Sequence, residues 1–188
     1  MRIISGTFKG KKILEPIDIK TRPLKDLTKE SIFNIINHSN NFNISLDNSN
    51  ILDLFSGVGS FGIECLSRGV KKVVFIENYE GVLPILEKNL INLKSIKNYT
   101  IIKKDIFNSD IFLELNDKFN IIFLDPPFKE KKIEKILTNI KSKKILHKGG
   151  IIIIHRHKKE QDIFPEDFKI IDQKKYGLSK IIFLSYLK

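Results

Sequence analysis

The run Leu52-Asp53-Leu54-Phe55-Ser56-Gly57-Val58-Gly59-Ser60-Phe61-Gly62 and the later Leu124-Asp125-Pro126-Pro127-Phe128 hold the residue types best suited to chemistry. The first reads as a strand entering a glycine-rich turn and then a helix. Gly57 and Gly59 let the backbone approach a nucleoside-bearing ligand where a Cβ would collide. The second reads as an apolar strand stopped by an acid, two prolines and an aromatic ring, a combination that can grip a planar amine. Together they point to methyl transfer from S-adenosylmethionine to an exocyclic amino group.

Such an amine is a poor nucleophile, because its lone pair is delocalised into the ring. If Asp125 and the Pro126 carbonyl accept its two N–H bonds, the nitrogen is drawn toward tetrahedral geometry and the lone pair can face a sulfonium methyl. Pro127 restricts Pro126 to an extended conformation, and Phe128 can stack on the base. Holding the two reactants in line is worth several kcal/mol of barrier. Gly57-Val58-Gly59-Ser60-Phe61-Gly62 also fits a dinucleotide-binding pattern. A nicotinamide enzyme would account for it and for Glu77, but not for Asp125 to Phe128.

These residues need a scaffold, and strand and helix patterns alternate from Ile51 onward. Strands are expected at Ile51–Phe55, Lys72–Ile76, Thr100–Ile102, Phe119–Leu124 and Gly150–Ile154, with helices at Ser60–Ser67, Leu83–Leu93 and Ile133–Ile145. That alternation predicts a doubly wound, mostly parallel α/β sheet. Phe168–Asp172 and Ile181–Tyr186 are joined by too short a turn for a crossover helix, so an antiparallel C-terminal hairpin is expected. Ligands of such sheets sit beyond the carboxyl ends of the strands. Asp53, Glu77, Asp105 and Asp125 all fall there; Glu77 is placed to take both ribose hydroxyls and Asp105 an adenine amino group. Upstream, residues 1–20 suggest a hairpin. Pro23 opens a helical stretch with Leu24, Leu27, Ile32, Phe33, Ile35 and Ile36 as its apolar stripe. His38 to Asn50 reads as a linker.

The 188 residues suffice for one substantial core. No apolar run approaches the roughly 20 residues of a membrane span, and the N-terminus lacks a secretory signal, so a cytoplasmic location is expected. Cys65, the single cysteine, is read as a buried hydrophobe. The net charge of +11 is uneven: residues 1–30 hold eight Lys/Arg against four Asp/Glu, residues 31–128 nine against eleven, and residues 129–188 sixteen against seven. A polyanion spanning the basic flanks would explain the pattern, as would drift in a chain rich in Lys, Ile and Asn. His155 and His157 lie after the expected fifth strand and read as a solvated or RNA-facing pair; too few further ligands accompany them for a metal, and none is expected.

Leu52 to Gly59 resembles the cofactor motif of class I S-adenosylmethionine methyltransferases. Asp125-Pro126-Pro127-Phe128 resembles the amine-methylating signature shared by N6-adenine and N2-guanine enzymes. Arg2-Ile3-Ile4-Ser5-Gly6 with Lys9-Gly10, and Thr21-Arg22-Pro23 with Asp26, Lys29-Glu30 and Phe33-Asn34, are similar to bacterial 16S ribosomal RNA guanine-N2 methyltransferases of the RsmD type. The resemblance runs over nearly the whole chain. It implies a Rossmann-like methyltransferase domain on residues 41–188, preceded by a hairpin-and-helix extension on residues 1–40 that contacts RNA. It implies S-adenosylmethionine as cofactor, bound by Asp53, Phe55, Gly57, Gly59, Glu77, Asp105 and Ile106, with Asp125, Pro126, Pro127 and Phe128 as the catalytic residues. Arg2, Lys9, Lys11, Arg22, Lys25 and Lys29 would meet RNA phosphates. The implied substrate is 16S ribosomal RNA; an assembling small subunit is expected because the target base must be accessible, and chain length with a single open active site makes a monomer the expected state. The chain departs from the family pattern at Leu24, Leu27 and Lys29, and His155 stands where an acid is common. An N6-adenine methyltransferase and a non-catalytic RNA-binding protein of the same fold are the alternatives.

Overall fold

Five runs form the parallel part of the sheet, and the inner ones are apolar at nearly every position because they are covered on both faces. In the computed structural model, which describes residues 1–16, 24–94, 96–108 and 111–187, these are β1 (Asn50–Leu54), β2 (Lys72–Ile76), β3 (Tyr99–Ile102), β4 (Phe119–Leu124) and β5 (Leu146–His157). Two further strands, β6 (Phe168–Tyr176) and β7 (Ser179–Tyr186), close a hairpin around Gly177-Leu178. The sheet order is β3-β2-β1-β4-β5-β7-β6. β1 pairs in parallel with both β2 and β4, and β7 pairs antiparallel with β5 and β6. The doubly wound sheet with an antiparallel terminal hairpin is therefore present as expected.

Alternate residues along each strand feed two cores. Ile51, Phe75, Phe123 and Ile153 face one, packed under helices α1 (Asp26–His38), α2 (Ser60–Ser67) and α3 (Leu83–Ile91). Leu52, Ile76, Leu124 and Ile154 face the other, under α4 (Ile111–Glu114) and α5 (Ile133–Ser142). In α5 the buried residues Ile133, Ile136, Leu137 and Ile140 mark one stripe at helical spacing. Cys65 is fully buried, and burial pushes its thiol well above its ordinary pKa.

Several boundaries differ from the expectation. β5 runs three residues past Ile154, because β7 supplies partners for His155, Arg156 and His157. Among the described residues the N-terminal hairpin is reduced to one antiparallel bridge between Arg2 and Lys12, flanked by Ile3 and Ile13 N–H bonds to the Lys11 and Met1 carbonyls. Pro23, the expected start of the first helix, lies outside the described residues; α1 begins at Asp26. Leu27 leaves the expected stripe and is 80% exposed. At about 100° per residue it points away from Ile32, Phe33 and Ile36, and Lys29 takes the inward position one turn earlier. The segment read as a linker is packed, with Phe42 stacked on Phe183 at 5.9 Å.

Among the described residues the N-terminal segment has no separate core. Ile3, Ile13, Leu24 and Phe33 belong to the same apolar cluster as Ile51 and Phe61. A buried carboxylate fixes the docking. Glu64 on α2 accepts the N–H groups of Ile4 (2.7 Å) and Ser5 (2.9 Å) and the Arg68 Nε–H (2.9 Å). Lys29, also fully buried, donates to the Arg2 carbonyl at 2.7 Å and lies 3.6 Å from Glu64. Burial pushes the Lys29 ammonium below its ordinary pKa, against the opposing pull of Glu64 and Asp26. The expected RNA contact at Lys29 is therefore corrected: its charge is consumed inside the fold. Glu64→Leu should destabilise the protein by about 3–5 kcal/mol, since it strands a buried ammonium and two N–H groups. Lys29→Met should cost less, because Glu64 keeps its other donors. Equal shifts of the two denaturation midpoints would contradict this account.

Candidate active site

A cavity of about 550 Å³ opens at the carboxyl ends of β1 and β4, a volume suited to a small-molecule ligand. Asp53, Phe55, Gly57 and Glu77 line it from one side, Asp105 and Ile106 from a second, and Asp125 to Phe128 from the third.

The turn after β1 is fixed by two carboxylates. Asp53 is buried, and its Oδ2 accepts the Gly62 N–H at 2.9 Å. Burial pushes this carboxyl well above the usual carboxylate range, the charges of Asp125 and Glu77 add to the effect, and the Gly62 bond opposes it. Glu77 reaches back from β2: Oε2 accepts the Gly57 N–H at 2.7 Å, while Oε1 accepts those of Asn78 (2.9 Å) and Tyr79 (2.8 Å). Phe55 holds a left-handed backbone conformation, φ 58°, a strained state for a non-glycine residue and one that clusters at functional sites.

Gly59 is not among the residues that line the cavity. It caps α2 with φ 85°, and a Cβ there would meet Leu86 Cδ1 at 2.5 Å, so it serves helix packing. Gly62 has a similar use: its Cβ would lie 2.3 Å from the Phe75 ring. At the third strand, Asp105 is exposed and its Oδ1 accepts the Phe107 N–H at 2.9 Å, while Ile106 is buried. The Phe55 and Phe107 rings sit 6.0 Å apart.

Across the cavity, the Asp125 N–H donates to the Leu54 carbonyl at 3.3 Å, which ties the end of β4 to the end of β1. Asp125 Oδ1 lies 2.7 Å from His155 Nδ1, and His155 Nε2 lies 2.9 Å from Ser179 Oγ. His155 is a cavity residue within β5, only 6% exposed; of the two readings of the histidine pair, the solvated one is excluded for this member. His157 is half-buried, its ring 5.3 Å from that of Phe128 in an edge contact.

Arg156, fully buried, holds the loop after the prolines by its backbone. It donates to the Pro127 carbonyl at 3.2 Å and the Glu130 carbonyl at 2.7 Å, and pairs through Nε with Asp162 at 3.0 Å. Sequence reasoning singled out His155 without this role and missed Arg156. The available signal was the polar His-Arg-His continuing directly from an apolar strand. Leu24, buried against the cavity wall, links the N-terminal segment to the site and was read only as a helix-stripe residue.

The expected RNA contacts are scattered. Arg2, Lys9 and Lys25 are exposed. Lys11 is half-buried and its ammonium donates to the Asn92 carbonyl. Arg22 lies outside the described residues.

The raised pKa of Asp53 sets a pH signature. Below the ordinary value near 3.8 the group is protonated folded and unfolded alike. As pH rises above that value the unfolded chain releases the proton first, so the stability contributed by the folded, neutral form falls until the folded pKa is passed. Asp53→Asn keeps an acceptor for Gly62 and removes the titration. Its melting temperature relative to wild type should climb between acidic and neutral pH; a pH-independent difference would refute the assignment.

The comparisons agree with this arrangement. The family described as "Conserved hypothetical protein 95" matches residues 1–185. The chain is 34% identical over 185 residues to "Putative rRNA methyltransferase YlbH" of Bacillus subtilis, a match covering 96% of each chain. It is 31% identical over 179 residues to "Ribosomal RNA small subunit methyltransferase D" of Haemophilus influenzae, covering 95% of this chain and 90% of that one. A solved structure, "Putative methyltransferase yhhF from Escherichia coli", is similar at 25% identity with a TM-score of 0.81, covering 99% of this chain and 97% of the other. The strand order, the cavity at β1 and β4 and a family match over nearly every residue lead to one conclusion: the chain belongs to the family described as Conserved hypothetical protein 95, that of the RsmD-type methyltransferases.

Proposed function

We propose that this protein transfers a methyl group from S-adenosylmethionine to the exocyclic N2 of a guanine in small-subunit ribosomal RNA, with an assembling ribosomal particle as substrate. The observation that carries the reading is the meeting of Asp125-Pro126-Pro127-Phe128 with Gly57 and Glu77 around one cavity. S-adenosylmethionine supplies an electrophilic sulfonium methyl. Glu77 is the residue suited to its ribose hydroxyls, since Oε2 accepts only the Gly57 N–H and retains acceptor capacity. Asp105, with Ile106 and Phe55 beside it, is suited to the adenine. Asp53 acts indirectly, by holding the turn that carries Gly57.

Asp125 and the Pro126 carbonyl accept from the guanine amine, and Phe128 offers an aromatic edge or face to the base. The bound sulfonium would supply the methyl carbon to the nitrogen and keep the carbon–sulfur electron pair. The surplus amine proton leaves to the Asp125 carboxylate or to water. The base must stand out of its stack to reach this site. Residues 1–40 supply the RNA-contacting part and residues 41–188 the cofactor-binding part, although the two share one core. Exposed Arg2, Lys9 and Lys25 are the candidate phosphate contacts, with Arg22 beside them in sequence.

The test is to incubate the protein with labelled S-adenosylmethionine and small ribosomal particles from cells lacking it, then identify the labelled nucleoside. N2-methylguanosine is expected; N6-methyladenosine would preserve the amine chemistry and move the substrate to adenine. Asp125→Ala should lower turnover on the order of 10²-fold or more while cofactor affinity holds, because an amine misplaced by about 1 Å loses that much. Near-normal turnover would remove Asp125 from the mechanism. Replacing Arg2, Lys9 and Lys25 by Ala should weaken RNA binding and lower its salt slope by about one per lost phosphate contact. Lys29→Met should leave that slope unchanged, and the reverse pattern would relocate the RNA surface.

A further inference from the structure

His155 stands between two polar partners in a nearly dry position. Its Nδ1 is 2.7 Å from Asp125 Oδ1, its Nε2 is 2.9 Å from Ser179 Oγ, and the residues are 6% and 9% exposed for His155 and Ser179. An ionised carboxylate can only accept, so in a neutral imidazole Nδ1 carries the proton and Nε2 is left to accept from the Ser179 hydroxyl. The partners thus select one tautomer.

We propose that His155 is a positioning residue for methyl transfer. Its Nδ1–H pins Oδ1 of Asp125 so that the remaining carboxylate oxygen meets the guanine amine in one orientation, and Ser179 holds the ring in the tautomer this requires. The proposal rests on the amine-methylating reading above.

The physical need is specific to the aspartate. The terminal torsion of an Asp side chain is broad and roughly two-fold, so a carboxylate held only by its backbone sweeps both oxygens across the site. The backbone here is already fixed by other means: the Asp125 N–H is tied to Leu54, and Arg156 holds the Pro127 and Glu130 carbonyls. What remains loose is the carboxylate itself, and His155 is the group bonded to it. An amine whose acceptor wanders is less often in line with the methyl donor, which lowers turnover without weakening either reactant's binding.

The experiment compares wild type, His155→Leu and His155→Asn for methylation of small ribosomal particles, with cofactor affinity measured separately by calorimetry. An asparagine side-chain nitrogen occupies nearly the place of Nδ1 and still donates to Asp125. His155→Leu should lose about 10- to 100-fold in kcat; KM for the particle and cofactor affinity should stay within about twofold, and His155→Asn should recover most of the lost rate. A Leu variant turning over at the wild-type rate overturns the proposal, as does an Asn variant as slow as the Leu variant.

Failure of the substrate reading looks different: the wild type itself would then leave guanine unlabelled. In that event, or if His155→Leu fails to fold, the ring is read directly by nitrogen–proton multiple-bond NMR of the wild-type protein and of Asp125→Ala. A ring protonated on Nδ1 in wild type, losing that preference when Asp125 is removed, supports the positioning role. A wild-type ring protonated on Nε2 overturns it.

Discussion

Everything at the site depends on β1 having β2 on one side and β4 on the other. The chain leaving β1 passes through α2 on one face of the sheet, while the chain leaving β4 passes through α5 on the opposite face. Right-handed crossovers permit no other course. The two loops must therefore part at the carboxyl ends of β1 and β4, and the gap between them becomes the crevice in which ligands of such sheets bind. Segments seventy residues apart in sequence are thereby made to face one another across about 550 Å³. The glycine turn and the Asp-Pro-Pro-Phe run gain a common function only through that adjacency.

Irregular segments around the sheet leave backbone groups without a neighbouring strand, and three charged side chains take up the deficit. Glu77 gathers N–H groups from both the first and second turns. Glu64 gathers those of Ile4 and Ser5. Arg156 does the converse, donating to the carbonyls of Pro127 and Glu130. Buried charges of this kind are weak evidence for stability, since desolvation consumes much of the attraction. Their effect here is geometric: each one converts an irregular segment into a fixed one without a regular hydrogen-bond ladder. Lys29 follows from the same logic, because a buried Glu64 requires nearby positive charge.

The fold was legible wherever burial on two faces left no alternative composition. The runs at Lys72–Ile76 and Phe119–Leu124 match their strands residue for residue, and Ser60–Ser67 matches α2. Legibility failed where a partner distant in sequence decides the outcome. The polar end of β5 carries no strand signal of its own; its pairing comes from β7. Lys29 reads as a surface charge because nothing in its neighbourhood reveals Glu64, thirty-five residues on. Motif residues of the site are legible from their spacing, whereas the holding roles of His155 and Arg156 are not.

The C-terminal hairpin deserves a physical reason, since five parallel strands already form the crevice. Successive side chains on a strand point to opposite faces, so His155 and Arg156 serve the Asp125 carboxylate and the following loop from the two sides of β5. A slip of one residue would exchange them, turning the guanidinium toward Asp125 and the imidazole toward the loop. The parallel pairing of β5 with β4 ends at Leu124 opposite Ile154, one residue short of this pair. The register of His155 and Arg156 is instead held by β7, where they lie opposite Ile181 and Lys180. Ile181, Ile182, Phe183 and Leu184 are all buried, alternating between the two cores, so a slipped β7 would drive apolar side chains to the wrong face. The hairpin therefore extends the accuracy of the core to the last residues of β5, where the parallel ladder no longer reaches.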